Sequence, residues 1–188
     1  LDEETSTDVE KKNFMRDAKE AEIVLQGVYR STIEDGQYGY HLSILFNLGT
    51  DMEQAEGNST ENYRIIPANA FPTTQSEVQT TWSSLYAGVY NANDFLERIS
   101  SKINTYSDTD RQLATLYIAE ARALRAMFYF ELVRRYGNIA LMTNTEMSKQ
   151  DPRTFVQVKP EKVYEFIEDD LLYASRILPY AQDDQYRI

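Results

Sequence analysis

The sequence has no cysteine, so it can form no disulfide, no cysteine-zinc site and no thiol nucleophile. It has one histidine, His41, and no G-x-S-x-G elbow, so a serine-histidine triad lacks its parts. No run of ~20 apolar residues occurs, so no helix is long and apolar enough to cross a bilayer. Positive charge is scarce. Lys plus Arg is 19 against 30 for Asp plus Glu, a formal net charge of -11. That balance argues against nucleic acid, and against an anionic membrane surface held through the folded body. What is abundant is aromatic: 14 Tyr and eight Phe bring the aromatic share to 12%, enough for a packed core. At 188 residues the chain has a single-domain length and can bury roughly 70% of its unfolded surface.

Helical periodicity organises most of the chain. Between Ile118 and Leu141 the sequence reads IAEARALRAMFYFELVRRYGNIAL. Leu113, Tyr117, Ala121, Leu124, Phe128, Leu132 and Tyr136 recur at steps of three and four, which lines one face of a helix. A second stripe runs Leu116, Ala119, Ala123, Ala126, Phe130, Val133, and its small residues allow close approach of a neighbouring helix. Asp108 or Asp110 can cap this helix of residues 110 to 136, and Gly137 can end it in a left-handed turn. A helix near 15 to 33 carries Ala21, Val24, Leu25, Val28 and Thr32 on one face. Another, 79 to 99, carries Trp82, Leu85, Tyr86, Val89 and Leu96, which puts the single Trp82 in the core. After a connector of 137 to 159, Lys159-Pro160-Glu161 opens a fourth helix that Pro179 closes.

Residues 35 to 78 break the pattern. Gly36, Gly39, Gly49, Gly57, Pro67 and Pro72 interrupt them, which predicts a long irregular insert that can hold short strands. The fold class is therefore mostly α, with helical pairs around one insert. The pairs half-match a tetratricopeptide unit: Trp82 and Leu85 fit its first helix, Ala126 and Phe130 its second, while Tyr86 and Val89 depart from it.

The motif order resembles a known family. Glu120, Ala121, Leu124, Arg125, Ala126, Tyr129, Phe130, Leu132, Val133, Tyr136, Gly137 and Leu141 fill a pattern EA-x-x-LRA-x-x-YF-x-LV followed by an aromatic-Gly pair and a Leu. Upstream, Trp82, Leu85, Tyr86, Asn93, Leu96 and Ile99 fill W-x-x-LY and its following Asn. Downstream, Arg153, Val163, Tyr164, Ile167, Asp170, Leu171, Ala174, Leu178 and Pro179 fill R…VY-x-x-I-x-x-DL-x-x-A…LP. Together these are similar to the SusD/RagB family of outer-membrane nutrient-binding lipoproteins of Bacteroidetes. Ala140 and Asn138 depart from the family's usual Pro and Asp.

The resemblance implies a tetratricopeptide-like N-terminal domain over 1-188, part of a longer protein whose C-terminal region adds helices and loops. It implies a cell-surface protein of the outer membrane, without cofactor or metal, that holds an oligosaccharide for a SusC-like TonB-dependent transporter. Membrane attachment would be only through a lipidated cysteine upstream of Leu1. The start at Leu1, without initiator Met or signal peptide, reads as a processed or trimmed chain. A helical-repeat module that binds protein or peptide is the alternative.

The residues themselves offer no catalytic set. Asp169/Asp170 and Asp183/Asp184 are adjacent, and neighbours on a helix point about 100° apart, so neither pair makes a facing acid-base couple. Glu131 can pair with Arg134 or Arg135 at helical spacing. Arg125 lies inside the motif, and its planar fork would bond carbonyls or a carboxylate such as Asp170. Structural roles thus fall to Trp82, Asn93, Arg125, Gly137 and Asp170. Sugars present flat CH faces flanked by hydroxyls, so aromatics beside polar side chains suit them. Tyr38, Tyr40, Tyr63, Arg64 and Phe71 of the insert are the candidate ligand-binding residues.

Overall fold

A computed structural model describes residues 14–45 and 75–180. Four long helices carry the architecture: α1 (Ala18–Ser31), α2 (Ser76–Lys102), α3 (Asp108–Tyr136) and, last in the chain, α5 (Pro160–Ile177). Between the last two lie strand β1 (Ile139–Ala140), a one-turn helix α4 (Thr145–Ser148) and strand β2 (Gln157–Val158). The two strands pair antiparallel, Ile139 opposite Val158.

Each helix has a local reason to start and stop. Asp17 caps α1, accepting from Glu20 N at 2.8 Å. Pro160 opens α5, where its missing N–H would have had no helical partner anyway. The cap of α3 is Ser107, one residue before the Asp108 or Asp110 expected from sequence. Its hydroxyl accepts from Asp110 N at 3.1 Å and donates to the Asp110 carboxylate at 2.6 Å, so Asp110 completes the cap from the first turn. Gly137 ends α3 with φ +70°, a region that L side chains rarely adopt.

Helix α3 is the axis of the fold, packing on α5, α2 and α1. Its inward face buries Tyr117, Ala121, Leu124, Phe128 and Leu132. Two positions of the expected stripes lie outside this core: Leu113 and Phe130 are exposed, and Ala114 and Tyr129 are buried in their stead. A helix turns 100° per residue, so a stripe of three- and four-residue steps follows the true interface only approximately, and single positions fall off it. The α2–α3 contact is close because Gly88 faces Phe128. A Cβ on Gly88 would come within 2.8 Å of the Phe128 ring. On α2 the buried line is Thr81, Leu85, Gly88, Val89, Ala92, Phe95 and Ile99. Trp82, expected in the core, is only half-buried at its edge.

The insert leaves α1 as turns and a short π-helical segment, His41–Leu45. Its remainder from 46 to 74 lies outside the described residues, so short strands there are not addressed. The two strands that are described belong to the connector. Two-residue strands have too little length to show a period in sequence.

Candidate functional site

The motif's charged residues meet in the interior. Arg125 Nε donates to Asp170 Oδ2 at 2.8 Å and Nη2 to Oδ1 at 2.9 Å, a fork-to-fork pair between α3 and α5. Arg125 Nη1 donates to Asn93 Oδ1 at 2.7 Å, and Asn93 Nδ2 passes the chain on to Met142 O at 2.9 Å. The Arg122 guanidinium lies 3.6 Å from Asp170, and the Phe166 ring lies 4.7 Å below the Arg125 guanidinium. One buried cluster thus ties α2, α3, α5 and the connector. Asp170 is 2% exposed and bound on both oxygens, so it is not disposed for acid-base work.

A second cluster holds the start of the insert. Tyr38 Oη donates to Glu131 Oε1 at 2.7 Å, while Arg134 and Arg135 both bond the other oxygen of the buried Glu131. Burial first, and then the adjacent carboxylate, push the Tyr38 phenol up to about 12. Gln37 Nε2 donates to Ser84 O at 2.7 Å, and His41 Nδ1 lies 2.8 Å from Thr81 Oγ1. Burial lowers the His41 pKa, against the opposing pull of Glu77 and Asp35. Tyr40 tilts against His41 with centroids 5.6 Å apart. Tyr38 and Tyr40 keep exposed rings, so both are available to a ligand, but the Tyr38 hydroxyl already serves Glu131. The other ligand candidates, Tyr63, Arg64 and Phe71, lie outside the described residues, as do Asp183 and Asp184.

Where the start of α2 meets the end of α3 there is a pocket of about 430 Å³, lined by Val78, Gln79, Trp82, Ser83 and Tyr136. The Trp82 ring is edge-to-face with Tyr136 at 4.8 Å and tilted against Tyr86 at 4.9 Å. Each tyrosine is pinned by its own hydroxyl: Tyr136 donates to Val78 O at 2.9 Å and Tyr86 to Ala140 O at 2.8 Å. Sequence reasoning placed Trp82 inside because the apolar period runs through it. The signal against that was its polar flank, since Gln79 and Ser83 put it at the boundary of the apolar stripe. Among the described residues no group of three or more His, Asp or Glu side chains is placed to hold a metal ion.

A helical-pair scaffold with buried arginine–carboxylate clusters, an insert pinned at its first turns and an open aromatic pocket makes up a tetratricopeptide-like helical fold, without an assembled catalytic set among the described residues. Over residues 1–188 the sequence matches the SusD-like family described as "Starch-binding associating with outer membrane", and the chain belongs to that family. It is similar to the crystal structure of a SusD homolog from Bacteroides thetaiotaomicron VPI-5482, with 70% identity and a TM-score of 0.91 over 98% of this chain and 34% of that one. A laminarin binding SusD-like protein superposes with a TM-score of 0.74 at 27% identity, covering 90% of this chain and 36% of that one. SusD-like protein P25 of Formosa agariphila is 24% identical over 179 residues, which is 91% of this chain and 33% of the relative. The chain thus spans about a third of the length of these relatives.

Proposed function

We propose that this chain is the helical scaffold of a non-catalytic glycan-binding protein at the outer-membrane surface. The longer protein holds an oligosaccharide and delivers it to a TonB-dependent transporter of the SusC type. The observation that carries this reading is the family match across residues 1–188, whose description joins starch binding to the outer membrane. The similar laminarin binding protein adds a second glycan-binding relative on the same fold. The chemistry of the chain is compatible. Its buried carboxylates Asp170 and Glu131 are held by arginines, and its exposed aromatics Tyr38 and Tyr40 sit at the root of the insert. The energy of uptake would come from the transporter, so the reading requires no cofactor.

A glycan array probed with the longer protein tests the binding half. Retention of a TonB-dependent transporter by the same protein from detergent-solubilised outer membranes tests the delivery half. Absence of binding to every glycan would sink the reading. Release of reducing ends from a bound glycan would make the protein an enzyme.

A second reading, a helical-repeat module for protein or peptide, draws on the outer face of α5. Tyr164, Leu171 and Leu172 are exposed there. Peptide binding without any glycan binding would favour it.

A further inference from the structure

We infer that the pocket between the start of α2 and the end of α3 is a subsite for one uncharged pyranose ring of a neutral oligosaccharide. The inference rests on the glycan-binding reading above and assigns a place and a charge class to part of the ligand. Its volume, about 430 Å³, falls in the range of roughly 300–1,000 Å³ usual for small-molecule sites.

Three features of the lining point to a sugar ring. The first is a fixed aromatic wall. Trp82 is held between Tyr136 and Tyr86, and both tyrosine hydroxyls are anchored on backbone carbonyls, Val78 O and Ala140 O. A wall already fixed before binding loses little conformational freedom when a ring settles against it. The second is the set of polar groups left without a partner. Among the described residues, the Gln79 amide, the Ser83 hydroxyl and the Trp82 indole N–H make no hydrogen bond within the protein, and the indole N–H is not among the buried unsatisfied atoms. Two donors and an amide beside an apolar wall match a pyranose, whose CH face is apolar and whose rim is hydroxyl. An aliphatic side chain from a partner protein would bury these polar groups without replacing their water. The third feature is charge. None of the five lining side chains is ionisable at neutral pH, in a chain of net charge -11. Among the described lining residues a uronic or sulfated sugar would find no cation to meet it, so a neutral ring is favoured.

The test uses the longer protein and calorimetry with maltoheptaose and laminarihexaose as neutral probes and a hexagalacturonate as the anionic one. Gln79→Ala with Ser83→Ala removes two side chains that support nothing in the fold, so the melting temperature should hold. The expected result is a neutral probe bound by the wild type and a loss of affinity of roughly 5- to 30-fold in the double variant. Ser83→Arg, which fills the mouth, should weaken binding at least as much. Trp82→Phe should give a smaller loss, since a ring remains and only the indole N–H and some area go.

Unchanged neutral binding in all three variants, with loss in Tyr63→Ala or Phe71→Ala, would overturn the pocket and leave the glycan-binding reading standing. Binding of the galacturonate that falls with the pocket substitutions would overturn the neutral class. Loss of transporter retention in Ser83→Arg with unaltered glycan affinity would make the pocket a protein contact and also overturn the inference. A wild type that binds no glycan at all would remove the underlying reading itself.

Discussion

The two ends of the α2–α3 contact treat polar groups in opposite ways. In its C-terminal half, α2 presents Asn93 to Arg125, and the cluster with Asp170 and Met142 leaves both carboxylate oxygens and the amide bonded. At the N-terminal end of the same helix, Gln79, Ser83 and the Trp82 N–H stand around a pocket with no partner in the described protein. Both ends carry packed aromatic pairs. The difference is that one end is closed by α5 and the connector, whereas among the described residues nothing closes the other. Where polar groups are buried they must be satisfied from within, because an orphan costs about 1–3 kcal/mol. Where they meet water, they remain available for something outside.

The sharpest way to break the closed end is Arg125→Ala. It would leave the buried Asp170 carboxylate without its two-point partner and with only the partly exposed Arg122 at 3.6 Å, and loss of one partner of a buried pair costs up to ~3–5 kcal/mol. Chemical denaturation of the longer protein should show that loss; no change would mean that Arg125 contributes only a solvated charge. Next in size is Gly88→Ala. The new methyl meets the Phe128 ring at 2.8 Å, so the helices must separate or the ring must turn. Overpacking of this kind costs ~1–3 kcal/mol, and a melting curve at or above the wild-type midpoint would refute the close contact.

The contrast is legible in the sequence to different depths at its two ends. A motif arginine surrounded by alanines on a helix calls for carbonyls or a carboxylate opposite, and the carboxylate of Asp170 stands there. Periodicity also places α1, α3 and α5, because four or more turns average out local exceptions. It fails at the edges of stripes. Trp82 keeps the apolar step yet sits on the rim, since an indole can be apolar on its faces and wet at its N–H. Phe95 is fully buried, but its neighbours Asn93 and Asp94 interrupt the apolar run and hide it. The pocket itself joins residues some 55 positions apart, 78–83 with 136, which no local pattern can reveal. Tyr63, Arg64 and Phe71 lie outside the described residues, so the ligand role assigned to them in sequence stays a proposal.

A third and smaller effect concerns the root of the insert. Burial disfavours the charged form of the His41 ring, so its pKa is lower in the folded chain than in the unfolded one. The unfolded state then binds the proton more readily. The stability this group contributes is complete above its unfolded pKa and is lost as pH falls through the folded value. His41→Asn should therefore flatten the fall in stability between about pH 6.5 and the folded value; an identical slope in the variant would show that the ring does not matter. Least of all should change with Gln79→Ala and Ser83→Ala. As positions with no partner, they should alter stability by less than ~0.5 kcal/mol, and a larger drop would mean that the open end is structurally closed after all.

The hydroxyl of Tyr129 accepts from Met142 N at 2.8 Å and donates to Met142 O at 2.6 Å. One side chain thereby occupies both backbone groups of Met142, the task that a neighbouring strand performs in a sheet. The connector gains a partner that belongs to α3 and lies 13 residues back in sequence. The course of the connector at Met142 therefore depends on α3 turning that face inward. The amide of Met142 is then shielded from solvent deuterium by the helix core, and its exchange follows the rare opening of that core.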